Sequence, residues 1–341
     1  MRLDSANRSF LAFTGVALLL GAYVLCGAVG GVLVPLLLAR VSNGGLAGLL
    51  GDGGSLLPLL LFVVVVAGGV ALATFSLTQQ ALASYRLARR VRGLARALPD
   101  QLARTAMQAG LRGRVVLVDA PESFSFVYGA LTPRVAISRG LVEDISGGEL
   151  RAVLEHERYH VCNLDPLKMV LMQALSAALF FLPALDVLRA RYEAARELAA
   201  DRRAVAVCGR RPLVGALLKV VRGPEWSELE VAAAIGGPEL LHVRVAQLET
   251  GRQPKLATLS ITHATISLLG ATLLVATFLA SVSSFGGPAA VRVATGTGIL
   301  AANLLGGFSC AAPFAGAGLL AYWLLARRAS NPLESGSLRR S

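Results

Sequence analysis

Residues 152–165 have the sequence Ala-Val-Leu-Glu-His-Glu-Arg-Tyr-His-Val-Cys-Asn-Leu-Asp. Within this stretch is the pattern His-Glu-x-x-His, whose two histidines are four positions apart. On an α-helix this spacing places His156 and His160 one turn apart on the same face, where both imidazoles can bind one Zn²⁺. Glu157 then lies beside the metal and can accept a proton from a water molecule that the metal activates. The stretch therefore predicts a hydrolytic zinc site suited to peptide bonds.

A zinc site of this kind needs a third protein ligand and an open fourth position for water. Residues 196–203 offer Glu197 and Asp201, which are again four positions apart. We expect Glu197 to complete a set of two histidines and one glutamate. We expect Asp201 to hydrogen-bond the outer nitrogen of a ligand histidine and so fix its tautomer. Considered alone, the two carboxylates fit better as solvated helix charges paired with neighbouring arginines, but together with the upstream histidine pair they favour the metal site.

Hydrophobic residues make up 55% of the 341 residues, which is too many for an ordinary soluble protein. Four runs without Asp, Glu, Lys or Arg exceed the ~20 residues that a membrane-spanning helix needs. They cover residues 9–39, 53–85, 256–291 and 293–326. The last two are separated by the single charge Arg292 and by a turn predicted just before it at Gly286-Gly287-Pro288. The first run is too long for the apolar part of a signal peptide, so we expect an uncleaved span. The composition predicts a multi-pass α-helical membrane protein.

The formal net charge of +12 would suggest nucleic acid as a partner if the protein were soluble. The arginines, however, cluster just after the second and last apolar runs, whereas the loop at 40–52 carries one positive and one negative charge. This asymmetry follows the positive-inside rule and predicts a cell-membrane protein with both termini and the central region in the cytoplasm. We expect the lipid bilayer, and not nucleic acid, to be the partner of the basic residues.

Three parts follow from these boundaries. Residues 1–98 are predicted to hold two transmembrane helices and a basic juxtamembrane helix, residues 99–255 a cytoplasmic α+β domain, and residues 256–341 two further transmembrane helices and a short cytoplasmic tail. Residues 114–119, 123–129 and 134–138 have the pattern of strands and predict a small antiparallel sheet, whose edge could hold an extended peptide or be plain structure.

The ends of the histidine helix also have sequence signals. Ser146 is the predicted N-cap of this helix, and Glu149, three residues later, completes a predicted capping box. Beyond it, the apolar residues 167–185 are too few for two membrane crossings, and a single crossing would separate Glu197 from His156. We therefore expect this segment to pack against the spans or to enter only the inner leaflet, and to reverse near Pro183.

The central region resembles the BlaR/MecR-type membrane metallopeptidases, which form metallopeptidase family 56. The likeness extends over about residues 123–248 and rests on residues 126–129, 132–141, 150–157, 163–165, 196–201 and 244–248. It implies a gluzincin-like zinc metallopeptidase fold with His156, His160 and Glu197 on zinc, Glu157 as general base and Asp201 behind the ligands. It also implies that the protein acts in signal transduction, by cleaving itself or a cytoplasmic transcriptional repressor.

Some features depart from that family or leave alternatives open. Only a short tail follows Ala326, so we expect no extracellular penicillin-binding sensor domain. HtpX-type membrane proteases have the same motif and a later glutamate, but a two-helix hairpin separates the motif from that glutamate. The interval between His160 and Glu197 is too short for such a hairpin. A quality-control protease is nevertheless an alternative. Another is a catalytically idle membrane scaffold or receptor, although a structural metal site normally closes its fourth position with a protein ligand.

Overall fold

The computed structural model describes residues 5–22, 57–221, 238–254, 256 and 258–295. The chain forms two compact units. The first comprises Met1–Leu11, Phe75–Ala174 and Val187–Thr258, and the second comprises Ala12–Thr74, Leu175–Asp186 and Leu259–Ser341. The histidine motif and residues 196–203 both belong to the first unit.

The described residues are mostly helical, with one small sheet. In chain order the elements are α1 (Ser5–Ala22), α2 (Leu57–Gly93), β1 (Ala95–Arg96), α3 (Asp100–Gln108), β2 (Val115–Val118), β3 (Ser125–Tyr128), β4 (Arg134–Ser138), α4 (Arg139–Asp144), α5 (Gly147–Asn163), α6 (Asp165–Ala178), α7 (Ala184–Cys208), α8 (Arg210–Val221), α9 (Pro238–Thr250) and α10 (Ile261–Thr295). The loop at 40–52 lies outside the described residues.

The sheet has the strand order β1-β2-β4-β3. β1 pairs with β2 and β3 pairs with β4 in antiparallel fashion, but β2 and β4 are parallel. The prediction of an antiparallel sheet is therefore wrong for this central pair. In β4, Val135, Ala136 and Ile137 are all fully buried, so both faces of the strand need cover and it lies inside the sheet. β3 alternates half-buried and buried residues and takes the edge.

The two faces of the sheet pack against different partners. On one face Leu117 and Ile137 belong to a core cluster with Leu150 and Leu154 of α5. The other face is aromatic, and it includes Phe126 and its neighbours Phe124 and Tyr128. α5 therefore packs on the first of these faces, where Glu157, one turn after Val153, lies beside the edge strand β3.

Both ends of α5 are defined by specific contacts. The Ser146 hydroxyl accepts a hydrogen bond from the Glu149 amide, and the Ser146 amide donates to Glu149 Oε2 at 2.7 Å, so the predicted capping box is confirmed. At the other end Leu164 is left-handed (φ 54°), and α6 begins at the next residue. This sharp reversal brings Asp165 back toward the last turn of α5.

In the second unit, residues 175–186 pack against both α2 and α10. A Cβ at Gly69 would overlap the carbonyl oxygen of Ala178, and one at Gly270 would lie 2.6 Å from that of Phe181. The Ala184 amide also donates to Ser267 Oγ at 3.0 Å. The apolar segment reverses before α7 and lies against the predicted spans, as the sequence indicated, because glycines on both helices permit close approach.

Among the described residues, two helices are long and apolar enough to cross a membrane, Leu57–Gly93 and Ile261–Ser281. The first predicted span is described only as far as Ala22, and nearly all of the fourth lies outside the described residues. The turn predicted at residues 286–288 is wrong, because α10 continues to Thr295. A proline removes only one helical hydrogen bond, a loss that long membrane helices tolerate.

The packing of α4 gives a stability prediction. A Cβ at Gly140 would overlap the carbonyl oxygen of Pro121, whereas one at Gly93 would meet no atom within 4 Å. Gly140→Ala must push the β2–β3 connection away and should destabilise the protein by about 1–3 kcal/mol. The melting temperature of the purified protein should fall by several degrees, while the control Gly93→Ala leaves it nearly unchanged. Equal melting temperatures for the two variants would contradict this packing.

Candidate metal centre

α5 and α7 bring two histidines and one glutamate together. The Nε2 atoms of His156 and His160 are 3.2 Å apart. Glu197 Oε2 lies 3.4 Å from His156 Nε2, and Glu197 Oε1 lies 3.6 Å from His160 Nε2. One ligand atom from each residue lies within 4.8 Å of the others, and all three residues are buried. This group could hold a metal ion.

The outer nitrogens of both imidazoles face carboxylates. His156 Nδ1 is 2.9 Å from Asp201 Oδ1, and His160 Nδ1 is 2.7 Å from Asp165 Oδ2. Asp165 accepts a hydrogen bond from His160 Nδ1–H, and Asp201 lies within ion-pair distance of His156 Nδ1, so the Nε2 lone pair of each ring is left for another partner. Two such lone pairs and a carboxylate oxygen facing one another repel unless a cation lies between them. The donor set therefore fits a metal ion, with carboxylates that fix both tautomers.

Glu157 lies beside this group and is itself held in place. Only 7% of its surface is exposed. Ser125 Oγ on the edge strand β3 donates a hydrogen bond to Glu157 Oε1 at 2.7 Å. The carboxylate is thus oriented by β3, and its second oxygen is left for a further contact.

Asp201 is fully buried and is matched by Arg244 of α9. Arg244 Nε donates to Asp201 Oδ2 at 2.8 Å, and Nη2 donates to Oδ1 at 2.7 Å. Arg244 Nη1 is also 3.6 Å from Glu197 Oε2, and Arg196 Nε is 3.5 Å from Glu197 Oε1. Glu197 and Asp201 are 3% and 0% exposed, which excludes the alternative that they are solvated helix charges.

Asp165, behind His160, has partners of its own. The Tyr192 hydroxyl of α7 donates to Asp165 Oδ1 at 2.8 Å, and Lys168 Nζ is 3.9 Å from the same oxygen. The two histidines are therefore braced from opposite sides, one through Asp201 and Arg244 and the other through Asp165 and Tyr192.

These contacts shift the protonation of the buried groups in the metal-free protein. Burial alone would lower the pKa of His156, but the carboxylates of Asp201 and Glu197 outweigh it and raise that pKa to about 9. Burial opposes ionisation of Glu197, yet the nearby imidazoles and arginines hold its pKa well below the usual range. The pKa of Asp201 is lowered in the same way, chiefly by Arg244.

A cleft opens onto the metal-binding group. Its polar part includes Ser125, Glu157, Arg196 and Arg244 as well as the histidines and Glu197. Its other wall is apolar and consists of Val127, Val153, Leu213, Ala216, Leu217 and Val220. The cleft therefore combines the edge strand β3, the charged residues around the metal-binding group and an apolar lining.

The sequence predicted some of these residues and missed others. His242 of α9 is exposed and does not line the cleft, whereas Arg244 two positions later does. No role at the metal was predicted for Asp165, although its place directly after the motif helix was a usable signal. No local pattern singled out Ser125, since its role depends on how β3 lies against α5.

The raised pKa of His156 predicts proton release on metal binding. The raised value means that the charged imidazole stabilises the metal-free fold. This contribution is present below pH 6.5 and is lost as the pH rises through about 9. Zn²⁺ needs the neutral ring, so binding at pH 7.5 should release about one proton, and affinity should rise with pH up to about 9. Calorimetry in buffers of different ionisation enthalpy measures this number. Zinc affinity independent of pH between 6.5 and 9 would contradict it.

Arg244 gives a prediction on stability. Arg244→Met leaves the buried Asp201 without its bidentate partner and should cost about 3–5 kcal/mol. Arg244→Lys keeps the positive charge but loses the two-donor geometry of the guanidinium. Its stability should therefore lie between those of Arg244→Met and the wild type. Thermal unfolding of the metal-free protein tests this order. Arg210→Met removes an exposed arginine and is the control. A Met variant as stable as the control would show that the pair does not support the fold.

Comparisons with known proteins agree on the class of protein. Protease HtpX of Shewanella sp. (strain W3-18-1) is 28% identical over 176 residues, covering 39% of this chain and 61% of that protein. Protease HtpX of Erwinia tasmaniensis is 37% identical over 81 residues, covering 23% of this chain and 28% of that protein. Protease HtpX of Vibrio cholerae serotype O1 (strain M66-2) is 38% identical with the same coverage. The chain thus spans at most about three fifths of the length of these relatives.

No solved structure matches the chain significantly. The family model described as BlaR1 peptidase M56 matches residues 55–248, more than half of the chain. This range contains the histidine motif, Glu197, Asp201 and Arg244. The protein therefore belongs to the BlaR1 peptidase M56 family, as the sequence resemblance indicated.

Proposed function

We propose that this protein is an integral membrane zinc endopeptidase with a gluzincin-like domain that hydrolyses peptide bonds of a protein substrate at the cytoplasmic face. The observation that carries the proposal is the convergence of His156 Nε2, His160 Nε2 and Glu197 beside the carboxylate of Glu157. Two imidazoles and one carboxylate form a ligand set of catalytic zinc sites, in which the fourth position is open. Membership in a peptidase family supports the same chemistry.

The residues divide the reaction between them. Zn²⁺ held by His156, His160 and Glu197 would supply Lewis-acid activation of a water molecule and of the scissile carbonyl. Glu157 takes the proton of the attacking water and returns it to the leaving amine nitrogen. Ser125 occupies one oxygen of that carboxylate and so directs the other toward the reacting atoms.

The edge strand β3 is the proposed substrate guide. The Ser138 amide donates to the Phe124 carbonyl, so by antiparallel alternation the main-chain groups of Ser125 and Val127 point away from β4. Both residues line the cleft. An extended peptide can pair with this edge and pass its scissile bond beside Glu157.

The apolar wall of the cleft suggests which side chains fit. Leu213, Ala216, Leu217 and Val220 of α8 face the same space as the metal-binding group. An apolar substrate side chain next to the scissile bond would bury its surface there, which stabilises binding by about 25 cal/mol per Å² of apolar area. We propose that apolar residues are preferred at this position.

The membrane arrangement is part of the proposal. α2 and α10 are the two candidate spans, and Arg86, Arg89 and Arg92 are exposed on the last turns of α2. Such a basic cluster favours the cytoplasmic side. We infer a multi-pass protein with four spans, both termini and the metal centre in the cytoplasm, and no direct contact with nucleic acid.

The similar proteins suggest two candidate classes of physiological substrate. Resemblance to BlaR/MecR-type peptidases favours signal transduction, in which the enzyme cleaves itself or a cytoplasmic transcriptional repressor. The 28–38% identity to proteins named HtpX favours quality control of membrane proteins as a second candidate. A substrate screen separates the two, since a signalling protease cuts one or two proteins and a quality-control protease cuts many unfolded ones.

An idle scaffold is disfavoured by the site itself. Among the described residues the metal-binding group has three members, and the cleft gives access to them. A metal that only held the fold together would normally have a fourth protein ligand and no general base beside it.

The decisive prediction concerns Glu157. Glu157→Gln keeps the shape and the hydrogen bond to Ser125 but removes the proton acceptor, so it should retain about one zinc per chain while cleavage falls roughly 10²–10⁴-fold. His160→Ala should lose both zinc and cleavage. Zinc content by elemental analysis, self-cleavage and hydrolysis of a mixed fluorogenic peptide library should be measured on the same purified full-length samples.

Other outcomes would count against the enzyme. Full activity of Glu157→Gln would show that another group is the base. Zinc retained by His160→Ala as firmly as by the wild type would show that the motif is not the metal site. Zinc bound normally with no cleavage of any library peptide would favour the scaffold.

A further inference from the structure

A buried lysine lies next to the metal centre without belonging to it. Lys168 of α6 is only 2% exposed. Its ammonium nitrogen donates to Asn7 Oδ1 at 2.6 Å and lies 3.9 Å from Asp165 Oδ1. It also lies 5.3 Å from the centroid of the Phe10 ring, in cation–π geometry. Two of these contacts are made by the beginning of α1, which is distant in sequence from the histidine motif.

The beginning of α1 makes further contacts to elements of the site. Asn7 Nδ2 donates to Asn163 Oδ1, in the last residue of α5, at 3.3 Å. The Phe10 ring packs against Tyr192 at 5.8 Å between centroids, and the Tyr192 hydroxyl donates to Asp165. Asn7 and Phe10 therefore contact both groups that hold Asp165 Oδ1.

A continuous path of polar contacts results. It runs from Asn7 to Lys168, from Lys168 to Asp165, and from Asp165 to His160 Nδ1. Each of the last three residues is less than 10% exposed, so water offers little compensation for a lost contact. If Asn7 withdraws, the buried ammonium loses a close acceptor and is drawn toward Asp165, where it competes with His160 for the carboxylate.

We propose that the beginning of α1 is a working part of the metal centre, and that Asn7 and Lys168 are positioning residues that set the orientation of His160 through Asp165. The proposal rests on the proposed function in that His160 is a metal ligand. Its consequence is regulatory. Any event that displaces the beginning of the first helix weakens metal binding and catalysis without touching a ligand.

The test uses the full-length protein in detergent, loaded with Co²⁺ as a spectroscopic substitute for zinc. Asn7→Leu removes the acceptor at similar volume, and Asn7→Asp keeps an acceptor for Lys168. Arg8→Ala changes an exposed neighbour on the same helix and is the matched control. For each variant the visible Co²⁺ spectrum, the zinc affinity against a competing chelator and the melting temperature of the metal-free protein are measured.

We expect Asn7→Leu to shift the Co²⁺ spectrum and to weaken zinc binding about tenfold, with Lys168→Met weakening it roughly 10–100-fold. Asn7→Asp should restore most of the affinity, and Arg8→Ala should match the wild type. At saturating zinc, Asn7→Leu should lower kcat for peptide cleavage by a larger factor than it raises KM, because the variant alters the ligand geometry and not the substrate cleft.

Two results would overturn the coupling. One is a Co²⁺ spectrum and zinc affinity of Asn7→Leu equal to those of Arg8→Ala. The other is a loss of affinity that Asn7→Asp fails to restore and that follows only the fall in melting temperature, which would indicate general destabilisation. The metal readouts do not depend on cleavage. A wild type that binds metal but cuts nothing would refute the proposed function and leave the coupling to be judged by its spectra.

Discussion

The constraint on which the site depends is the meeting of His156 Nε2, His160 Nε2 and a Glu197 oxygen within a few ångströms inside the protein. Three groups that all present lone pairs repel one another unless each is held from behind and a positive charge, either a metal ion or a proton on one imidazole, lies between them. The structure meets the first condition with carboxylates on both Nδ1 atoms. A metal ion could meet the second condition, because all three acceptors can share one cation.

Holding the ligands from behind requires an unusual density of buried charge. Glu157, Asp165, Glu197 and Asp201 are four buried carboxylates, and Lys168, Arg196 and Arg244 are the cations that face them. Buried charges are costly unless paired and hydrogen-bonded, so each carboxylate has at least one close partner. The fork of Arg244 on Asp201 is the best example, with two donors at 2.7 and 2.8 Å. In the metal-free protein the proton on His156 supplies the missing positive charge, which explains why its pKa rises to about 9 despite burial.

The sheet connects this charged region to a binding surface. β4 must lie inside because it is apolar on both faces, and this leaves β3 at the edge beside α5. Ser125 then meets Glu157, and the same strand lines the cleft. One arrangement of strands therefore orients the general base and provides an open edge for an extended peptide. α8 contributes apolar residues to the same cleft, so the cleft offers both an open strand edge and an apolar surface.

The sequence by itself determined the local features. Helical periodicity placed His156, Glu157 and His160 on one turn, the capping box fixed where α5 begins, and the downstream pair supplied Glu197 and Asp201, since these signals depend on neighbours within a few residues. Apolar runs likewise identified α2 and the first part of α10 as candidate spans. Only the tertiary structure decided the parallel pairing of β2 with β4, the hydrogen bond from Ser125 to Glu157, the pairing of Arg244 with Asp201 and the contact of Asn7 with Lys168. Each of these joins residues far apart in the chain, and their proximity depends on how whole helices and strands pack, which no local pattern of residues encodes.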